Sequence, residues 1–251
     1  MSVSTAVIIP ARYGSVRFPG KALADLCGKP LIQHVWERAS RAACAGLCVV
    51  ATDDERIAAA VRGFGGRVVM TAASHRSGTD RLAEAAEKLG LSRCDLVVNV
   101  QGDEPLVDPA DVDLLAGLMS RDARVQMGTL ACPLADDSDV SDPNVVKVVV
   151  DDAGRALYFS RSPLPGWRRG EDAASRAVML SHVGMYAYRV GFLRVFAAMP
   201  PGRLEQAEGL EQLRALERGF GIAVAVTEGR TVGVDTPADL AAAARLLTGK
   251  A

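Results

Sequence analysis

The sequence predicts an α/β layered fold built around a mainly parallel sheet. In the first half of the chain, short continuous apolar runs alternate with stretches of helical character. Apolar runs of this kind are typical of strands that are buried on both faces. The repeated order of strand, helix and strand predicts right-handed crossovers between parallel strands. With 251 residues, of which 49% are hydrophobic and 24% charged, the chain suits a soluble domain with a sizeable core.

The first 100 residues account for four strands and three helices. Strands are predicted at residues 6–9, 47–51, 67–70 and 96–100. Helices are predicted at residues 30–43, 54–63 and 78–89, the first with Pro30 in its opening turn. Each predicted helix falls between two strands, as a crossover connection requires.

From about residue 125 the pattern becomes richer in strands. Residues 145–150 and 155–159 are joined by a turn that contains Gly154, and they predict a β-hairpin. Two further strands are predicted near residues 183–188 and at 222–226.

Two helices complete the second half of the chain. The spacing of leucines over residues 210–216 predicts an amphipathic helix. The last helix is predicted to begin at Thr236, because Pro237 and Asp239 follow it in a typical N-terminal capping pattern. No linker rich in Pro, Gly or Ser and no internal repeat divides the chain. We therefore predict one α/β domain with a β-rich insertion.

The composition argues against several classes of protein. A net charge of −1 provides no electrostatic field for binding nucleic acid. No apolar run approaches the roughly 18 residues of a membrane helix, and the N-terminus lacks the basic region of a signal peptide. Five cysteines without a C-x-x-C pair predict free thiols, and the three separated histidines lack the spacing of a zinc site. These features predict a cytoplasmic protein that binds neither nucleic acid nor membrane.

A basic, glycine-containing loop over residues 10–21 follows the first predicted strand. Arg12, Arg17 and Lys21 supply three cations, while two glycines allow the backbone to approach a ligand closely. Ligands of open α/β sheets bind beyond the carboxyl ends of the strands, where this loop is expected. Because the Walker A and G-x-G-x-x-G patterns are both missing, two interpretations stay open. The loop binds a triphosphate, or it is a solvated loop whose cations aid solubility.

Two carboxylates are placed where they suit a metal ion. Asp103 follows the predicted strand at 96–100, and Asp235 directly precedes the last helix, whose N-terminus favours an ionised carboxylate. Taken singly, each is also explained as a turn residue or as part of a helix cap. Two carboxylates together with substrate phosphates are the usual ligands of Mg²⁺. If the two converge at one end of the sheet, they predict a Mg²⁺ site.

Other polar residues carry a weaker signal. Residues 74–81 open a predicted helix and suit either recognition of a base or ribose or an ordinary helix cap. Arg161 ends a hairpin strand, and His182 and Tyr186 lie four residues apart, on one face of their strand. Residues of these types are more often structural than functional, so both interpretations stay open.

Nine stretches of the chain closely resemble the family of 3-deoxy-manno-octulosonate cytidylyltransferases. In family order from residue 8 to residue 240, they are IIPARYGSVRFPGK, VATDDERI, SGTDRLAE, VVNVQGDEP, PNVVKVV, ALYFSR, HVGMYAYR, LEQLRALE and VGVDTPADL. The chain follows the family pattern least over residues 162–176. The resemblance implies a Rossmann-like nucleotidyltransferase (GT-A-like) α/β fold whose β-rich insertion is used for dimerisation, and hence a homodimer.

The resemblance also divides the single domain of residues 1–251 into functional parts. Residues 1–125 would form the nucleotide-binding half, and residues 126–230 a β-rich part for sugar binding and dimer contacts. Residues 231–251 would supply a returning strand and the C-terminal helix.

The family transfers CMP from CTP to 3-deoxy-D-manno-octulosonate (KDO) for lipopolysaccharide core synthesis and releases pyrophosphate. The CTP-binding residues that the resemblance implies are Ala11, Arg12, Ser15, Arg17, Lys21, Arg76, Ser77, Gly78, Thr79 and Arg81. The implied KDO-binding residues are Gln101, Arg161, His182, Tyr186, Glu211 and Gln212. Asp103 and Asp235 are the implied Mg²⁺ ligands and, with Arg12 and Lys21, the implied catalytic residues.

Several alternatives stay open on the sequence alone. The acceptor sugar could be 8-amino-KDO or N-acetylneuraminate, and a GT-A-type glycosyltransferase would share the nucleotide-binding half. A sugar-1-phosphate nucleotidyltransferase would be expected to show a Gly-Gly opening loop, where this chain has Ala11-Arg12-Tyr13. A nucleotide-binding regulator without catalysis is the alternative from another class. The presence of both carboxylates and all three loop cations favours an active enzyme.

Overall fold

A computed structural model describes residues 4–14, 17–134, 136, 138–166, 178–229 and 232–249. Its strands are β1 (Thr5–Ala11), β2 (Asp25–Leu26), β3 (Lys29–Pro30), β4 (Leu47–Thr52), β5 (Arg67–Met70), β6 (Leu96–Asn99), β7 (Met127–Pro133), β8 (Lys147–Val150), β9 (Ala156–Ser160), β10 (Leu180–Arg189) and β11 (Ile222–Val226). Its α-helices are α1 (Leu31–Ala39), α2 (Glu55–Gly63), α3 (Gly78–Lys88), α4 (Pro109–Arg121), α5 (Ser138–Ser141), α6 (Val190–Ala198), α7 (Arg203–Glu208), α8 (Leu213–Glu217) and α9 (Pro237–Thr248). A short 3₁₀ helix spans Lys21–Leu23.

One large mixed sheet organises the described residues. Its strand order is β11–β7–β10–β6–β1–β4–β5, and the β8–β9 hairpin is attached to β10. Strands β6, β1, β4 and β5 run parallel to one another, which confirms the parallel sheet predicted for the first half of the chain. Strand β10 is antiparallel to both β6 and β7, so the direction of the sheet changes at this strand.

Helices cover both faces of the sheet, which explains the continuous apolar runs in the sequence. Val7 and Ile9 of β1 belong to the core layer shared with α1, α2 and α4. Ala6 and Ile8, the alternate residues, belong to the opposite layer, shared with α3 and α6. None of the helices in the described part of the chain has the length and apolar character needed to cross a bilayer.

Two helix predictions are wrong at one end. The first helix was expected to reach residue 43 but ends at Ala39, after which the chain tightens and turns. This turn allows the backbone N–H groups of Ala43 and Cys44 to donate to the Asp113 carboxylate, at 3.0 and 2.8 Å. The helix expected at 210–216 begins only at Leu213, because residues 210–212 form a turn.

The β-rich stretch is an extension of the sheet with one hairpin attached, rather than a separate insertion. Strands β7, β10 and β11 join the central sheet through their backbone hydrogen bonds, and only β8 and β9 branch away from it. The returning strand expected after residue 230 is not found in the described residues 232–236. There, the Val234 N–H donates to the Asp103 carbonyl at 2.8 Å, and this single bond ties the segment to the loop after β6.

Candidate active site

A cleft of about 730 Å³ opens beyond the carboxyl ends of β1 and β6. It contains most of the residues that the sequence singles out: Ala11, Arg12, Arg17, Lys21, Arg76, Ser77, Gly78, Arg81, Gln101, Asp103, Arg161, Tyr186 and Asp235. Thr79, His182, Glu211 and Gln212 do not line it, and Ser15 lies outside the described residues. The cleft also includes His75, Gly102 and Gly184, which the sequence did not single out as site residues.

The Lys21 ammonium joins the two predicted metal-binding carboxylates. Lys21 Nζ donates to Asp103 Oδ2, to Asp235 Oδ1 at 3.0 Å and to the Val234 carbonyl at 3.1 Å. Arg17 Nη2 lies 2.8 Å from the second carboxylate oxygen of Asp235. Two cations and two carboxylates therefore meet at one point, although their segments are far apart in the sequence.

The carboxylates fit a divalent cation by their convergence and by their chemistry. Because Asp103 and Asp235 both bond one ammonium, their oxygens already surround a single cation position. No group of three His, Cys, Asp or Glu side chains in the described ranges is arranged to hold a metal ion. Asp103 and Asp235 would hold a Mg²⁺ ion here, and the ion would take its other ligands from substrate phosphates and water.

Tyr13 fixes the basic loop through a backbone hydrogen bond and through a contact of its ring. The Gly20 N–H donates to the Tyr13 carbonyl at 2.9 Å, and Gly20 adopts the left-handed conformation that this turn requires. The Arg56 guanidinium lies 3.3 Å from the centre of the Tyr13 ring, and Asp54 holds it with two hydrogen bonds of 3.0 and 2.7 Å. The loop cations Arg12, Arg17 and Lys21 all line the cleft, which favours the phosphate-binding interpretation of the loop.

Gly102 allows the strand ends beneath the cleft to approach closely. A Cβ atom at this position would lie 2.6 Å from the Pro10 carbonyl oxygen. Backbone cannot yield as a flexible side chain does, so any larger residue forces the ends of β1 and β6 apart.

Gly102→Ala is therefore expected to lower the free energy of unfolding by about 1–3 kcal/mol and to reduce turnover. Thermal unfolding and steady-state kinetics measure both effects. Gly117→Ala is the matched control, since nothing lies within 4 Å of its Cβ position in α4 and alanine favours a helix. Equal melting temperatures for the two variants would contradict this account of Gly102.

Residues 74–81 form a capped helix entry that also lines the cleft, so their two sequence interpretations are not exclusive. Ser77 and Asp80 form a reciprocal capping box at the start of α3. Arg81 is almost fully buried, where it bonds Thr71 Oγ1 and lies 3.2 Å from Asp53. A buried, paired guanidinium of this kind makes this wall of the cleft rigid.

His75 is held in the cleft by Glu84. The carboxylate of Glu84 accepts from the His75 ring, from the Ala72 N–H at 2.8 Å and from Lys88 at 2.8 Å. Burial alone would raise the pKa of Glu84, but the hydrogen bonds from Lys88, Ala72 and His75 together lower the pKa to about 2. Glu84 therefore stays ionised and fixes the orientation of the imidazole.

Arg161 is fixed on the other side of the cleft by the backbone around it. Its Nε and Nη1 donate to the carbonyls of Glu208 and Pro143, both at 2.9 Å. The carbonyl of Arg161 accepts from the buried Lys147 ammonium at 2.7 Å. Within the described part of the chain, Nη2 has no partner, so donors of the guanidinium remain for an anionic ligand.

Three further residues that the sequence singles out, Thr79, Glu211 and Gln212, do not line the cleft. Thr79 donates to Glu211 at 2.6 Å, and Arg214 lies 3.3 Å from the other oxygen of Glu211. Gln212 is buried, and its Nε2 is without a hydrogen-bond partner among the described residues. A buried donor in this condition is uncommon in proteins and indicates a ligand or water that bonds it.

His182 and Tyr186 share one face of β10, as their spacing predicts. Their ring centres lie 5.4 Å apart, and Tyr186 also stacks on Tyr188 at 6.0 Å. His182 contacts the edge of Phe159 at 5.0 Å. Because rings on both sides restrict it, the imidazole has one well-defined position beside the cleft.

The chain belongs to the cytidylyltransferase family, whose family model matches residues 6–224. Its fold and its cleft are accordingly those of a nucleotidyltransferase. The chain is 56% identical over 240 residues to 3-deoxy-manno-octulosonate cytidylyltransferase of Syntrophobacter fumaroxidans, covering 96% of this chain and 95% of the relative. It is 54% identical over 245 residues to the protein of the same name from Geobacter sulfurreducens, covering 95% and 97% of the two chains.

Solved structures agree with this assignment. The structure of CMP:2-keto-3-deoxy-manno-octonic acid synthetase complexed with CTP is 44% identical, with a TM-score of 0.91, and the match covers 99% of this chain and 100% of that one. The structure of 4-diphosphocytidyl-2C-methyl-D-erythritol synthase has a TM-score of 0.67 at 15% identity, over 98% and 99% of the chains, and shares the fold. The predicted α/β nucleotidyltransferase fold is confirmed.

Proposed function

We propose that this protein transfers CMP from CTP to the anomeric hydroxyl of KDO and releases pyrophosphate. One observation carries the proposal: the cations Arg12, Arg17 and Lys21 and the carboxylates Asp103 and Asp235 meet in one cleft. This cleft belongs to a chain that is 56% identical to a 3-deoxy-manno-octulosonate cytidylyltransferase over nearly its whole length. The product would serve the synthesis of the lipopolysaccharide core.

The reaction needs positioning and charge stabilisation rather than a protein nucleophile. The C2 hydroxyl oxygen of KDO attacks the α-phosphorus of CTP as the bond to the β-phosphate oxygen breaks. The hydroxyl proton passes to solvent water, and pyrophosphate carries away the negative charge of the leaving oxygen. Arg12, Arg17 and Lys21 stabilise this charge, which requires Lys21 to exchange a carboxylate partner for a phosphate.

Asp103 and Asp235 are proposed as the ligands of a Mg²⁺ ion. Their oxygens surround a common cation position, and carboxylate oxygens are the protein ligands that Mg²⁺ prefers. When bound, the ion would offset the charge of the phosphates and favour ionisation of the attacking hydroxyl. Because the Lys21 ammonium occupies this position, it would leave the carboxylates for a phosphate when the ion binds. Arg17 would remain next to Asp235.

The two sides of the cleft are proposed to bind different substrates. Residues 76–81 and the basic loop form the CTP side, where backbone groups at the start of α3 suit base and ribose recognition. Gln101, Arg161 and Tyr186 form the KDO side. Arg161 Nη2, which has no partner among the described residues, would donate to the carboxylate or hydroxyls of the sugar. His182, Glu211 and Gln212 are also proposed for the KDO side, although they do not line the cleft.

His182→Ala and Gln212→Ala are each expected to raise the KM for KDO by about ten- to a hundredfold, because each change removes a polar group proposed to bond the sugar. The KM for CTP is expected to stay nearly the same. Separate titrations of CTP and KDO measure the two constants. A selective loss of CTP affinity would place the sugar on the opposite side of the cleft.

Pyrophosphate release, measured with each nucleoside triphosphate and with or without KDO, tests the proposed reaction. Release that requires both CTP and KDO supports it. Replacing KDO by 8-amino-KDO or N-acetylneuraminate in the same assay identifies a different acceptor sugar. Nucleotide binding without any release would instead support the regulator hypothesis.

We further propose that the protein is a cytoplasmic homodimer. Leu157 in the hairpin strand β9, Val178 shortly before β10 and Val226 at the sheet edge are each more than half exposed, as expected of residues that a partner covers. All five cysteines are free thiols, which suits a reducing compartment. Light scattering coupled to gel filtration measures the mass in solution, and a monomer at all concentrations would refute the dimer.

A further inference from the structure

Thr129 lies on β7, fully buried, and contacts His182 across the β7–β10 pairing. Three polar atoms surround its Oγ1: His182 Nε2 at 2.9 Å, the Met185 carbonyl at 2.8 Å and the Val183 carbonyl at 3.3 Å. The proposed mechanism gives the Thr129 hydroxyl no role.

The number of available protons decides whether Thr129 or His182 donates in the hydrogen bond between them. A hydroxyl has one proton, and carbonyl oxygens only accept. The short contact with Met185 requires that proton, since two oxygens without a hydrogen between them repel each other at 2.8 Å. The hydroxyl therefore accepts from His182, and Nε2 of the imidazole must carry a hydrogen.

The other ring nitrogen of His182, Nδ1, is the atom that can accept a hydrogen bond from a ligand. Burial lowers the pKa of His182 to about 3, so the imidazole is neutral at pH 7. A neutral imidazole that is protonated at Nε2 has an acceptor at Nδ1. None of the hydrogen bonds found within the described ranges involves Nδ1, and the half-buried ring contacts Tyr186, which lines the cleft.

We infer that Thr129 is a positioning residue that holds His182 in its Nε2–H form, so that Nδ1 accepts a hydrogen bond from a hydroxyl of the acceptor sugar. The part that concerns the sugar rests on the proposed function. An acceptor nitrogen repels a carboxylate, so the carboxylate of the sugar is left to Arg161, whose Nη2 has no partner among the described residues. His182 thereby recognises a hydroxyl group of the sugar and not its carboxylate.

The tautomer is measured directly by NMR on protein labelled with ¹⁵N-histidine. The chain has only three histidines, His34, His75 and His182, and the spectrum of His182→Gln identifies the signals of the third. At pH 7 we expect Nε2 of His182 to be protonated in the wild type and in Thr129→Ser. In Thr129→Val, the Nδ1–H form is expected to appear. An Nδ1–H ring in the wild type, or an unchanged tautomer in Thr129→Val, would overturn the inference.

Kinetics provide the second readout. Thr129→Val is expected to raise the KM for KDO about tenfold while the KM for CTP changes less than about twofold, and Thr129→Ser should restore most of the loss. Thr227→Val is the matched control, because Thr227 is another buried threonine, bonded to Asp111. It is expected to lose stability without changing the KM for KDO. An equal increase in the KM for KDO in this control would reduce Thr129 to a structural role.

Different results would refute the proposed function and the proposed role of Thr129. If the wild type released no pyrophosphate from CTP and KDO, the proposed function would fall, whereas the tautomer of His182 would still be measurable. If release occurred but Thr129→Val kept the Nε2–H ring, only the role of Thr129 would be refuted.

Discussion

Replacing Asp103 by Asn is expected to lower the turnover number by at least about a hundredfold while the protein stays folded. Asn preserves the size of the side chain but removes the charge that holds a hard cation against the phosphates. Asp103 is half-buried and its backbone carbonyl keeps the bond from Val234, so the local chain path is preserved. The measurements are kcat at saturating CTP, KDO and Mg²⁺, together with the melting temperature. Asp235→Asn is expected to behave in the same way.

Asp152→Asn is the control for this loss, because Asp152 is exposed in the turn between β8 and β9. It changes the net charge of the protein by the same amount without touching the cleft. Near wild-type turnover in Asp103→Asn at saturating Mg²⁺ would show that this residue is not a metal ligand.

Lys21→Met is expected to lower kcat/KM for CTP by about a hundredfold or more. The change removes a cation proposed to contact the phosphates. It also leaves the carboxylates of Asp103 and Asp235 without the ammonium that joins them, so they repel the incoming triphosphate. Methionine keeps most of the apolar length of the lysine side chain. Titration of CTP at saturating KDO measures the effect.

Lys29→Met separates this loss from a general effect of removing a lysine. Lys29 is partly exposed and bonds Glu37 at 2.7 Å, and it does not line the cleft. Its replacement is expected to leave the kinetics of CTP unchanged. If Lys21→Met also kept wild-type kinetics, the basic loop would return to the solvated-loop interpretation.

Much of the fold follows from local patterns in the sequence. Strands β1, β4 and β6 are largely buried apolar runs, whereas β5 is a partly buried strand at the sheet edge. The capping residues Ser77 and Thr236 mark the helices α3 and α9. Strand β7 and helix α4 were not predicted. Strand β7 contains Gly128 and Thr129 and ends at Pro133, so its apolar signal is interrupted. Its partners in β10 lie 47 to 61 positions further along the chain.

Some parts of the candidate site can likewise be predicted from the sequence, and others cannot. Each of the segments around Lys21, Asp103 and Asp235 is recognisable by its composition, because each combines charged residues with an element end. The shared ammonium was beyond prediction, since it depends on how three distant segments meet. Tyr13, Arg56 and Lys147 were likewise not singled out, because their contacts are made by tertiary packing and carry no sequence pattern.

The hydrogen bond from Thr79 to Glu211, at 2.6 Å, joins helix α3 to the segment that precedes α8. Thr79 belongs to the helix that faces the proposed nucleotide side, and Glu211 to the segment behind the proposed sugar side. Ordering either residue by a bound substrate therefore reduces the freedom of the other before its own substrate arrives. By thermodynamic linkage, CTP is expected to tighten the binding of KDO by the same factor by which KDO tightens the binding of CTP.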